Sequence, residues 1–217
     1  MNFFNPPTLV TVILFSIGVA LGIPVLAKGF SRRGKGVVYQ ADFLLQRAPQ
    51  LISVANIFLI ILSFLVYNND VKNMPMARLF SISEGTPSSV ETVISWIGVA
   101  ILLSGLIFMV GGWYSLGESF STDAELLDGQ KLREGGLLKF VMHPAYSGII
   151  QSSLGASITS LSPLCLGLTV LVIAPLWLRR AKYEEELLIK TFGDDYKNYA
   201  QKVKWRRLIP SFIPIGV

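Results

Sequence analysis

The chain has one histidine, His143. It stands in the run VMHPAYSG, followed by Pro144 and then Tyr146. Beyond an apolar stretch comes a second polar block, RRAKYEEELLIKTFGDDYKNY, carrying Arg179, Arg180, Glu184, Glu185, Glu186, Tyr196 and Tyr199. An imidazole can give or take a proton near neutrality, a carboxylate accepts, and a guanidinium is a fixed multi-donor cation. A tyrosine adds an aromatic face and a hydroxyl. Such a set can hold a charged ligand or move a proton. It contains no metal-ligand cluster, and the single Cys165 excludes an intrachain disulfide framework. Blander readings stand beside this one. A lone histidine can cap a helix, the tyrosines can form an interfacial belt, Arg179 and Arg180 can anchor topology, and the glutamates, Glu186 above all, can be solvated charge.

These residues must be positioned by a membrane bundle. Of 217 residues 52% are hydrophobic and 15% charged, against about 25% charged in an ordinary soluble domain. Five apolar segments are legible: 7–27, 50–67, 90–113, 146–161 and 163–178. The first three approach the roughly 20 residues that cross a bilayer. The last two are shorter and meet at Ser162-Pro163, which reads as the turn of a helical hairpin. A single helix kinked at Pro163 is the competing reading. Gly18-x-x-x-Gly22 and the Gly111-Gly112 pair permit close helix packing. The segment 182–192 has helical character ended by Gly193, and Tyr196, Tyr199 and Val203 share one face of a second short tail helix.

Basic residues set the orientation. The first loop carries Lys28, Arg32, Arg33, Lys35 and Arg47, the second Lys72 and Arg78, and the third Lys131, Arg133 and Lys139. The fourth has none, and the tail has the rest of the 19. The positive-inside bias therefore puts the first and third loops and the C-terminus in the cytoplasm and the N-terminus outside. MNFFNPP has no basic n-region and reads as the start of a retained span. The net charge of +5 is spread through these loops, which suggests contact with anionic lipid headgroups and no nucleic-acid groove. The expected fold class is all-α, a polytopic membrane helical bundle of about five transmembrane helices with a C-terminal helical hairpin and cytoplasmic amphipathic tail helices. Residues 1–113 form a three-span region, and 114–217 hold the connector, hairpin and tail. The hairpin returns both its ends to one membrane face, so His143, Tyr146, Arg179, Arg180 and the acidic cluster come together. They can line a pocket open to cytoplasm on one side and to lipid on the other.

The pattern His143-Pro144-x-Tyr146-x-Gly148, then a hairpin, then Glu184-Glu185-x-x-Leu188-x-x-x-Phe192-Gly193-x-x-Tyr196-x-x-Tyr199, resembles the isoprenylcysteine carboxyl methyltransferase family. Arg180, Val203 and Pro210 fit the same pattern, and the resemblance covers about 111–210. It departs at one position, where Met142 replaces the arginine that usually precedes the family's histidine. Lys139 or Arg179 would then have to supply the lost contact. Gly136-Leu137-Leu138 likewise replaces a Gly-Pro-Tyr approach.

The resemblance implies S-adenosyl-L-methionine as cofactor and methyl transfer to a lipophilic small-molecule or prenylated acceptor, with no metal. A carboxylate acceptor needs positioning by a cation, which implies Arg180 as the catalytic group, with Glu185 orienting it. An amine acceptor would need a base, Glu184 or Glu185. His143, Tyr146, Glu184 and Tyr199 are the implied cofactor-binding residues. A phospholipid N-methyltransferase, a nicotinamide-dependent membrane reductase and a non-catalytic protein on the same scaffold are the alternatives. The membrane is a bacterial inner membrane or an organelle membrane, and oligomeric state is left open.

Overall fold

The computed structural model describes residues 5–32, 34, 36–68, 76–83, 88–203 and 208. Arg33, Lys35, Lys72 and Pro210, and the first four residues, lie outside them. Three long helices open the chain: α1 (Pro6–Arg32), α2 (Phe43–Asn68) and, after the single turn α3 (Ala77–Phe80), α4 (Ser89–Leu116). At 1.5 Å per residue each reaches roughly 40 Å, more than the roughly 30 Å of a hydrocarbon core. Ser88 starts α4 through a reciprocal capping box with Glu91, satisfying two of the backbone donors that a helix start leaves bare.

The terminal helices depart from the expected boundaries. α5 spans Pro144–Thr159 and is 16 residues long. α6 (Pro163–Leu168), a π-helical turn (Thr169–Ile173) and α7 (Ala174–Phe192) form one continuous rod. No break separates the apolar segment ending at Leu178 from the helix over 182–192. Pro175 has no N–H to offer the turn before it, and the ladder widens there into the π turn. Between α5 and α6 the chain reverses. Leu161 takes a left-handed φ of 50°, its N–H bonds to the Ile158 carbonyl, and the Ser162 N–H to the Ser157 carbonyl. This paired closure ends a helix, and the Ser162 side chain then caps α6 at Cys165. α8 (Asp194–Lys202) follows Gly193, whose φ is 54°.

Among the described residues four helices are long and apolar enough to cross a membrane: α1, α2, α4 and the α6–α7 rod. α5 is shorter than these. Hydrogen-bonding side chains are buried between the helices beside an apolar cluster that includes Ile60, Phe64, Leu102 and Leu106, and the exterior is apolar. Thr8, Asn56, Ser63, Ser95 and Thr159 are fully buried, while Leu9, Ile13, Ile17 and Leu21 form an exposed stripe along α1. Lipid offers no hydrophobic drive between helices, so small and hydrogen-bonding side chains build the interfaces. Ser95 Oγ donates to the Thr159 carbonyl at 3.0 Å, and Ser63 Oγ to Ser162 Oγ at 3.0 Å.

The closest approach joins α4 to α5. Gly98, Gly105 and Gly112, seven residues apart on α4, face backbone around Thr159, Ser152 and Ala145. Gly148 and Gly155 of α5 face the α4 backbone at Met109 and Leu102. Gly18 and Gly22 of α1 seat Leu106 and Trp113 of α4. Two short strands add to the helices: β1 (Val37–Gln40) pairs antiparallel with β2 (Glu125–Leu127). The expected all-α membrane bundle holds, with this short ribbon as an addition to it. The ribbon draws the α1–α2 connection against the segment after α4.

Candidate active site

His143 is the residue before the first turn of α5, with Pro144 next, a position where a missing N–H costs nothing. The imidazole makes no capping bond. Its Nε2 lies 3.2 Å from Glu185 Oε1 and its Nδ1 3.9 Å from Glu184 Oε2. The ring stacks on Tyr146 at 5.4 Å between centroids and 3° between planes. The cap reading therefore gives way to a paired, 9% exposed imidazole between two carboxylates.

Behind it stands Arg180, 2% exposed. Its Nε donates to the Tyr146 hydroxyl at 3.0 Å and to Glu184 Oε1 at 3.2 Å. Its terminal nitrogens donate to the Gln46 carbonyl at 3.2 Å and the Thr122 carbonyl at 3.0 Å. The guanidinium also lies over the Tyr146 and Trp177 rings, a cation–π contact strengthened by desolvation. The Tyr146 hydroxyl donates to Glu184. The expected pairing of Glu185 with Arg180 is thus corrected: Glu184 holds Arg180, and Glu185 holds His143. Helical phase is the reason. Four residues return a side chain to about 40° from its start, five carry it about 140° away.

A cleft of about 130 Å³ opens beside these groups. His143, Tyr146, Glu184 and Tyr199 all line it; Arg180 and Glu185 are not among its lining residues. The arginine is a tie between α7, α2 and the connector, and no face of it is turned to the cleft wall. Tyr196 and Tyr199 line the cleft from α8, packed with Leu138 and Val203. The Tyr199 hydroxyl donates to the Leu138 carbonyl at 2.7 Å. Burial, and then the Glu134 carboxylate, hold that hydroxyl well above the usual phenol range. It stays a protonated donor, committed to backbone, and the ring is what it offers.

Met142 also lines the cleft and packs against the Leu138, Tyr196 and Tyr199 cluster. Lys139 and Arg179 are exposed and line nothing here, so neither replaces a missing arginine. That wall is apolar. The opposite wall is formed by Phe120, Asp123, Glu125 and Leu126, residues of the connector that the sequence does not single out. Asp123 is held by Arg47 through two bonds of 2.9 and 3.0 Å. The Gln50 amide donates to the Thr122 carbonyl, and Ser121 Oγ donates to Glu125. Partners this far apart in the chain leave no local signal. Among the described residues no group of histidine, cysteine and carboxylates could hold a metal.

A family model described as phospholipid methyltransferase matches residues 93–195, the stretch from α4 to the start of α8. The probable protein-S-isoprenylcysteine O-methyltransferase of Oryza sativa subsp. indica is 30% identical over 112 residues, 51% of this chain and 59% of its own. Protein-S-isoprenylcysteine O-methyltransferase B of Arabidopsis thaliana is 28% identical over 123 residues, 56% of this chain and 59% of its own. The chain therefore spans about six-tenths of the length of these relatives. The solved structure of the eukaryotic intramembrane Ras methyltransferase, isoprenylcysteine carboxyl methyltransferase, superposes with a TM-score of 0.57 at 20% identity. It covers 95% of this chain and 68% of that one. The fold is that of a small polytopic membrane bundle of this kind. The chain resembles the isoprenylcysteine carboxyl methyltransferase family in sequence and in fold.

Proposed function

We propose that the chain is an S-adenosylmethionine-dependent methyltransferase of the membrane, acting on a lipophilic acceptor, a carboxylate of isoprenylcysteine type. The observation that carries this reading is the convergence of His143, Tyr146, Glu184 and Tyr199 on one cleft. The residues present fit the cofactor. The tyrosine hydroxyls are committed to protein partners, which leaves ring faces and the Glu184 carboxylate for a cationic ligand. When bound, the cofactor supplies a methyl group already activated on a sulfonium sulfur.

The protein's own part is binding and alignment. Arg180 and Tyr146 fix Glu184, and Glu185 fixes the His143 ring, so both walls present set geometry before a ligand arrives. In this reading Arg180 and Glu185 are positioning residues. An ionised carboxylate acceptor is nucleophilic at neutral pH and needs no proton removed. A second reading, methylation of a phospholipid amine, is supported by the matching family model. It gives Glu184 the role of base.

The finer architecture completes the proposal. α5 and the α6–α7 rod form a hairpin within the membrane, making five spans, with the N-terminus outside and the α8 tail cytoplasmic. The membrane is a bacterial inner membrane or an organelle membrane. The test is calorimetric titration of S-adenosylmethionine into detergent-solubilised wild-type and His143→Ala protein. Saturable binding, weakened about tenfold or more by the substitution, is the expected result. A folded wild-type protein that takes up no cofactor would falsify the reading.

A further inference from the structure

The connector wall of the cleft is held from a part of the chain far earlier. Thr122 offers its carbonyl to the Gln50 amide and to Arg180. Asp123 offers its two carboxylate oxygens to Arg47, at 2.9 and 3.0 Å. The Ala124 carbonyl accepts from the Ala41 N–H at 3.0 Å, and Glu125 pairs with Gln40 in the ribbon. Four successive residues thus lean on residues 40–50, the end of β1 and the first turns of α2. Ser121, Asp123 and Glu125, every second residue of the segment, line the cleft.

One of these ties is ionic. The Asp123 side chain is 1% exposed, and a carboxylate so removed from water needs a cation in good geometry. Two parallel N–H donors meet it and fix orientation as well as distance. The same guanidinium donates to Gln50 Oε1 at 3.1 Å, so Arg47 also steadies the amide that holds Thr122. On the cleft side the Asp123 N–H donates to Ser121 Oγ at 3.2 Å, and Ser121 Oγ donates to Glu125 Oε1 at 2.6 Å. A shift of Asp123 would therefore carry the neighbouring lining residues with it.

The family-model stretch, residues 93–195, contains this wall but not the residues of α2 that hold it. We propose that Arg47 is a positioning residue of the site: through Asp123 it sets the place of the connector wall, and the affinity of the cleft for its cofactor depends on it. Asp123 lines the cleft and Arg47 does not, so Arg47 acts through its partner and takes no part in the transfer itself. The dependence on the cofactor rests on the methyl-transfer reading above.

The test uses the full chain in detergent and two measurements: amide hydrogen exchange over residues 121–127 without ligand, and calorimetric titration of S-adenosylmethionine. In Arg47→Met the segment should exchange roughly tenfold faster. Cofactor affinity should fall about tenfold to a hundredfold, because a displaced wall misaligns what it holds. Arg47→Lys, which keeps the charge but loses the fork, should recover part of both losses. Ser95→Ala removes a buried hydrogen bond near the other end of α4. It should lower the unfolding midpoint and leave both measurements within about twofold of wild type. Unchanged exchange or unchanged affinity in Arg47→Met overturns the proposal, as does an equal loss of affinity in Ser95→Ala. Where Arg47→Met does not fold, the same comparison is read from Arg47→Lys against Ser95→Ala. Faster exchange in Arg47→Met beside a folded wild type that takes up no cofactor would uphold Arg47 as the holder of the wall and sink the methyl-transfer reading instead.

Discussion

Neighbouring glutamates do different work here. Glu184 faces Arg180 and the cleft, while Glu185 faces His143. Their substitutions should therefore part company. Arg180→Met leaves the Glu184 carboxylate without its cation and two backbone carbonyls without a donor, at a cost of about 3–5 kcal/mol. The double variant Arg180→Met with Glu184→Gln should recover part of that loss, as read by thermal unfolding in detergent. A double variant no more stable than the single one would show that the carboxylate is not what Arg180 steadies. This division was within reach of the sequence, because i, i+4 spacing pairs 180 with 184 and excludes 185. The opposite wall was not. Arg47 and Asp123 are 76 residues apart, and each looks like ordinary loop charge until the ribbon brings them together.

At the scale of elements, α4 and α5 decide the geometry of the site, because their backbones touch. A side chain at Gly105 would collide with Ser152, and one at Gly148 with the Met109 backbone. Gly105→Val or Gly148→Val should force the helices apart and cost about 1–3 kcal/mol or more, seen as a lower unfolding midpoint. Gly167, with open space around it, is the control: Gly167→Ala should leave the midpoint unchanged. The packing role of Gly18 and Gly22 was legible from their spacing. The row of Gly98, Gly105 and Gly112 was not singled out, since a seven-residue spacing is inconspicuous in an apolar run. The turn at Leu161 was legible through Ser162-Pro163. The π turn and the unbroken rod were not, because composition changes from apolar to charged near Leu178 while the backbone continues without a break.

For the whole molecule, the exterior is apolar, the interior mixes apolar side chains with hydrogen-bonded polar ones, and charge gathers at the ends of the helices. The proposed orientation makes a direct prediction. With Cys165 replaced by serine, a single cysteine at Lys139 should react with a membrane-impermeant maleimide only after the cytoplasmic face is opened. One at Ser88 should react from outside, and the reverse pattern would invert the topology. Assembly carries a last consequence. Synthesis delivers α4 and α5 before the rod, and their glycine-lined contact requires no later residue. Glu184 and the tyrosines of α8 come later in the chain and complete the cleft. A chain halted between the two stages would hold the α4–α5 contact and lack the Glu184, Tyr196 and Tyr199 lining of the cleft. The close α4–α5 contact thus precedes in the chain the residues that line the cleft from α7 and α8.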